Sequence, residues 1–126
     1  MAKLERKGLI IDDEAIIALH ISLIAKRTGL ATTFLANNSK TAFEIFSSEK
    51  LDILFVDINI AGELDGVELA KQLCAIKTTP VIFISGNADK QVRTRLFDEK
   101  LSFPHNYLIK PVDDAVLKKL IQSMLA

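Results

Sequence analysis

The stretch ILFVDINIAGELDG, residues 53–66, opens as an unbroken apolar run, stops on the acid Asp57, and passes into a loop that contains Gly62 and Gly66. A strand with one face in water alternates apolar and polar residues. A strand covered on both faces by helices does not alternate, and ILFV does not. PVIFIS (80–85) has the same character. Two such runs predict a parallel sheet sandwiched between helices, so that the rest of the chain should supply those helices and the remaining strands.

It does so in alternation. GLII (8–11) is a short apolar run ending on acids, and EAIIALHISLIAKR (14–27) has helical length and is stopped by Gly29. TTFLA (32–36) is β-prone, and SKTAFEIFSSE (39–49) repeats its apolar residues at helical spacing. After LDILFV (51–56), DGVELAKQLCAI (65–76) begins with Asp65 and Glu68 at the spacing of a capping box. DKQVRTRLFDEK (89–100) follows the next strand as a charged helical segment. YLIK (107–110) reads as the last strand and VDDAVLKKLIQSML (112–125) as the closing helix. The result is five parallel strands with helices on both faces, joined by irregular connections at 57–64 and 101–106.

The chain has 126 residues, a length that suits one domain with a core of its own and no metal or disulfide staples. Sixteen basic residues balance sixteen acidic ones, so no global field draws the chain to nucleic acid or to a membrane surface. The lone Cys74 excludes an internal disulfide, and within LAKQLCAI it reads as a core residue. The charged start, MAKLERKG, is followed by too short an apolar run for a signal peptide, because Asp12, Asp13 and Glu14 interrupt it. No stretch reaches bilayer-spanning length, and the expected location is the cytoplasm.

In a sheet of this kind, ligands bind beyond the carboxyl ends of the strands. The first strand ends on Asp12 and Asp13, the third on Asp57, the fourth on Ser85 and the fifth on Lys110. Each has an ordinary reading: a helix cap, a loop acid, a turn former beside Gly86, a surface charge before Pro111. Gathered together they do not, since carboxylates about 4–5 Å apart repel by roughly 3–4 kcal/mol per pair at an effective dielectric near 20. Such a cluster calls for a cation, and oxygen donors suit Mg²⁺. Lys110 instead points to an anion. A divalent cation, a lysine and a hydroxyl can together surround a phosphoryl group, with Asp57 as the carboxylate that accepts it.

These residues resemble the receiver (response regulator) domain of two-component signalling, of the chemotaxis-receiver type. The resemblance rests on IIDDE after the first strand, LFVD after the third, FIS after the fourth and YLIKP after the fifth, in that order across residues 7–125. It implies one receiver domain over residues 1–126 with a flavodoxin-like, doubly wound α/β fold: five parallel strands in the order 2-1-3-4-5 and five helices. It implies that Asp57 accepts a phosphoryl group from a histidine kinase or a histidine phosphotransfer protein. Asp12, Asp13, Asp57 and the backbone carbonyl of Asn59 would hold Mg²⁺, with Mn²⁺ as a substitute. Ser85 and Lys110 would contact the phosphoryl group, the Lys110–Pro111 peptide would be cis, and Ser85 and Tyr107 would form the switch. The chain would then be a signalling phosphoacceptor acting only on its own aspartate. Its output would pass through the face built by segment 89–100, the fifth strand and the last helix, to an output domain or partner protein or into a phosphorylation-linked dimer.

The match has departures. Ala61 stands where the family often has proline, and Asp65 and Gly66 fall one residue later than in its shortest members. Asn59 and Asn87 stand where relatives line the path of hydrolytic water. LSFPHN lacks the family's small Gly-Ala segment, and His105 within it reads as a solvated loop residue; His20 reads as exposed or partner-facing. The first helix carries Ile16, Ile17, Leu19, Ile21, Leu23 and Ile24, more than one sheet-facing stripe requires. This means either a wide core face or a docking patch. Two rival readings are a phosphatase of the haloacid dehalogenase type, which expects an acid where Asn59 stands, and a binding module that has lost phosphorylation.

Overall fold

In a computed structural model, residues 5–59, 65–86 and 101–126 are described. The elements are β1 (Lys7–Ile11), α1 (Ala15–Thr28), β2 (Thr32–Ala36), α2 (Ser39–Ser48), β3 (Ile53–Asp57), α3 (Gly66–Ile76), β4 (Val81–Ser85), β5 (His105–Ile109) and α4 (Asp114–Leu125). All strand pairs are parallel, in the order β2-β1-β3-β4-β5, which is the flavodoxin-like α/β arrangement. Four helices lie among the described residues. The helical segment expected at 89–100, Asn87, and the loop residues Ala61 and Gly62 lie outside them.

The helix ends follow their sequence signals. Asn38, Asp65 and Asp113 cap α2, α3 and α4 by accepting from the amides of Thr41, Glu68 and Val116 at 2.8, 2.9 and 3.0 Å. Gly29, with φ of 121°, ends α1 in a conformation that a side chain would strain.

One face of the sheet buries Leu9, Ile11, Leu54, Val56 and Phe83 under α2 and α3. The other buries Ile10, Ile53, Phe55, Ile82 and Ile84 under α1 and α4. Every residue of β3 and β4 is buried, as their non-alternating sequences require, whereas β2 and β5 at the edges are only partly covered. Cys74 is buried in the α3 core, its thiol directed to the Thr79 carbonyl at 3.4 Å.

β5 differs from its sequence reading. It begins at His105, two residues before YLIK, and pairing already starts with the bond from the Val81 amide to the Pro104 carbonyl. An edge strand tolerates the polar His105 and Asn106 because one side meets water. His105 is exposed, but it is not a solvated loop residue: its ring stands edge-on to Phe83 and Phe103, with centroids at 6.2 and 5.9 Å.

Candidate functional site

The parallel register assembles the site. Ile11 lies opposite Val56, Asp57 opposite Ile84, and Ser85 opposite Ile109. The residues after these partners, Asp12, Ser85 and Lys110, therefore flank Asp57 at one edge of the sheet. The ladder runs one step further through Ile58 N–H to Ile84 O at 2.9 Å and Lys110 N–H to Ser85 O at 2.7 Å. Behind Asp57, the first turn of α3 lies against the strand end, where the Gly66 amide donates to Ile58 O at 2.8 Å.

Asp12, Asp57 and Ser85 are buried, while Asp13 and Glu14 are exposed. Carboxylate oxygens of Asp12, Asp13, Glu14 and Asp57 all come within 4.8 Å of one another. The Lys110 ammonium sits among them, 3.3 Å from Asp57 Oδ2, 3.6 Å from Asp12 Oδ2 and 3.0 Å from Glu14 Oε1. Asp57 Oδ1 accepts from the Asn59 amide at 3.1 Å, and Asp12 Oδ1 from the Glu14 amide at 2.8 Å. Asp12 Oδ2 is buried with no hydrogen-bond partner among the described residues.

That arrangement has electrostatic consequences. Burial, reinforced by the neighbouring Asp57 charge, pushes the Asp12 carboxyl up to about 6, even though the Glu14 amide and the Lys110 ammonium oppose the rise. Burial alone would lower the Lys110 pKa, but the surrounding acids, Glu14 foremost, reverse this and hold it above the ordinary lysine value. The ammonium is therefore a fixed charge. A buried carboxylate oxygen without a hydrogen-bond partner, in an all-oxygen donor set, fits a hard divalent cation.

Asp12 has a higher pKa folded than unfolded, so its protonated form favours the folded state. That contribution is complete below about pH 4 and is lost as pH rises through about 6. In metal-free buffer at pH 7.5, Asp12→Asn should stabilise the protein by roughly 2–3 kcal/mol, because Asn keeps the Oδ1 acceptor and removes the charge. Urea melts with a chelator would measure this, and the gap should close below about pH 4. An equal gap at both pH values would show that the charge is not its source.

Ser85 and Tyr107 are in contact, the Ser85 hydroxyl meeting the Tyr107 hydroxyl. The Lys110–Pro111 peptide is cis. His20 is not free: its Nε2 meets Asp114 Oδ1 at 2.8 Å and links α1 to α4. Ile21 and Ile24 are buried, but Ile16, Leu19 and Leu23 are 84%, 59% and 48% exposed, so the apolar excess of α1 forms a ridge on the surface. The sequence reading missed the part of Glu14; the only signal was the third acid in IIDDE.

The sequence matches the response regulator receiver domain family over residues 9–122. Among curated proteins it is 30% identical over 115 residues to the sensory transduction protein LytT of Bacillus subtilis (strain 168), covering 90% of this chain and 46% of that protein. It is 31% identical over 123 residues to the regulatory protein AtoC of Escherichia coli (strain K12), covering 93% of this chain and 24% of that one. The chain thus spans between about a quarter and a half of the length of these relatives. Among solved structures, the signal receiver domain of a modulated diguanylate cyclase from Desulfovibrio desulfuricans G20 superposes with a TM-score of 0.83 at 29% identity, over 97% of this chain and 94% of that one. No helix among the described residues is long and apolar enough to cross a membrane.

Proposed function

Because the chain belongs to the response regulator receiver domain family, we propose that it is the phosphoacceptor of a two-component or phosphorelay system, with Asp57 as the residue that takes the phosphoryl group. The observation that carries this reading is the Lys110 ammonium, 3.3 Å and 3.6 Å from the buried carboxylates of Asp57 and Asp12 at the strand ends. A fixed cation beside a buried nucleophile is suited to a charge that arrives and leaves.

A carboxylate oxygen of Asp57 attacks the phosphorus of a phosphohistidine on a histidine kinase or phosphotransfer protein. The oxygen–phosphorus bond forms, and the phosphorus–nitrogen bond breaks with its electron pair leaving on the imidazole. Lys110 stays protonated and compensates the new charge, about −1.5 to −2 at neutral pH. Ser85 donates its hydroxyl to a phosphoryl oxygen. In doing so it shifts relative to Tyr107, which follows and biases a pre-existing equilibrium of the face made by residues 89–100, β5 and α4. Asp12, Asp13, Asp57 and the Asn59 carbonyl would hold Mg²⁺, or Mn²⁺ in its place, which supplies further charge compensation to the phosphoryl oxygens when bound.

The exposed ridge of Ile16, Leu19 and Leu23 supports docking of the phosphodonor on α1. The switched face would act on an output domain or a downstream protein, directly or through a phosphorylation-linked dimer. In this reading residues 1–126 form one receiver domain of the cytoplasm, with its core at 7–125 and a fifth helix at 89–100. It makes no contact of its own with nucleic acid or membrane, and it turns over only its own acyl phosphate.

Incubation with acetyl phosphate and Mg²⁺ should add the mass of one phosphoryl group, and borohydride should reduce the modified aspartate to homoserine in the peptide containing Asp57. Omitting the metal should leave the protein unmodified. A folded protein that gains no mass would overturn the reading. Steady turnover of a small phosphate ester would replace it with a phosphatase.

A further inference from the structure

Resting on that reading, we propose that Glu14 is a brake: a displaceable counter-ion that occupies Lys110 until a phosphoryl group takes its place. Glu14 is the residue before α1, where a side-chain oxygen can turn back to cap the first amides. It does not do so: its side chain makes no capping bond, and the first turn of α1 holds no other acid. The carboxylate reaches instead across the site to Lys110, and at 3.0 Å it is nearer to the ammonium than Asp57 or Asp12.

The three acids around Lys110 differ in what they lose when the ammonium turns away. The side chains of Asp12 and Asp57 are 1% and 3% exposed and would be left as buried charges, whereas Glu14 is 59% exposed and returns to water at small cost. An incoming phosphoryl group therefore displaces Glu14 first. The two buried carboxylates already hold Lys110 over the site, so Glu14 is not needed to place it. What Glu14 adds is competition for the ammonium and a negative charge in front of an anionic donor.

In the transfer from acetyl phosphate, an Asp57 oxygen bonds to phosphorus while the bond from phosphorus to the acetyl oxygen breaks. The electron pair departs with acetate, and Lys110 remains an ammonium throughout. Releasing Lys110 from Glu14 should make this step easier and should also tighten beryllofluoride binding.

The test compares wild type, Glu14→Gln and Glu14→Asp at saturating Mg²⁺, following acetyl phosphate uptake by intact mass and beryllofluoride half-saturation by NMR of Tyr107. Glu14→Gln should phosphorylate about two- to fivefold faster, the range that a half-exposed ion pair carries, and should bind beryllofluoride correspondingly more tightly. Glu14→Asp is one methylene too short for the contact but keeps the charge, and should fall between. Added salt should shrink the difference between wild type and Glu14→Gln by screening the wild-type pair, an effect that a merely structural role would not produce. A folded Glu14→Gln protein that is no faster than wild type, or a ratio indifferent to salt, would overturn the brake while leaving the phosphoacceptor reading intact. A wild type that takes up no phosphoryl group would overturn both.

Discussion

Lys110→Met should accept a phosphoryl group at least about a hundredfold more slowly than wild type, the loss typical of removing one charge-stabilising donor from a shielded site. Methionine keeps most of the alkyl length that lies in the site, where the lysine side chain is only 16% exposed, so packing changes little. The charge disappears. Asp12 and Glu14 then flank the acceptor Asp57 with no lysine among them, and the transferring group meets three acids. The same change should strengthen divalent-cation binding, because an ion no longer competes with the ammonium for Asp12 and Asp57. A metal titration alongside an intact-mass time course at saturating Mg²⁺ would therefore show affinity and rate moving in opposite directions. A rate within a few-fold of wild type would remove Lys110 from the transfer step.

Gly66→Ala should cost about 3 kcal/mol of stability or more, at the upper end of what overpacking does. A Cβ built on Gly66 would lie 2.3 Å from the Asp57 carbonyl oxygen, 2.7 Å from Ile58 Cα and 2.9 Å from the Asp57 carbonyl carbon. These are backbone atoms of the strand end, and no side-chain rotation can relieve the contact. Either the first turn of α3 lifts off, breaking the bond from the Gly66 amide to Ile58 O, or the peptide after Asp57 is pushed out of line. The second route would slow phosphorylation in molecules that remain folded. Gly86→Ala is the matched control, since its Cβ would meet nothing within 4 Å among the described residues. Urea melts should show the first variant far below wild type and the second near it. Near-wild-type stability in both would mean that α3 has freedom to move away from the strand.

The sheet was legible because β3 and β4 are covered on both faces, and complete coverage leaves an unmistakable apolar run in ILFV and VIFIS. The start of β5 was not legible. An edge strand carries polar residues on its wet side, and His105 and Asn106 after Pro104 read as a loop. The strand ends disclosed Asp12, Asp57, Ser85 and Lys110 as neighbours because parallel register fixes which residues emerge together. Glu14 was not legible in the same way. Which partner a long, half-solvated side chain selects is decided by reach and competition, which its place in the sequence does not record. The surface ridge of α1 lay between these cases: the excess of apolar residues was visible, but only burial showed which of them face outward.

The site spans a gradient of constraint from the middle of the sheet to its margin. Asp57 is rooted in β3, which is hydrogen-bonded to a strand on each side and closed to water along its whole length, whereas Tyr107 comes from the half-covered margin strand β5. Selection acting on such a molecule faces two unequal territories. Almost any change around the acceptor is also a change in the core, so the chemistry is inherited together with foldability and resists drift. Along the margin a substitution can alter what a partner meets while leaving the core untouched. On the proposed reading, a lineage built on this plan can exchange one output for another, step by step, while Asp57 keeps its place in the core.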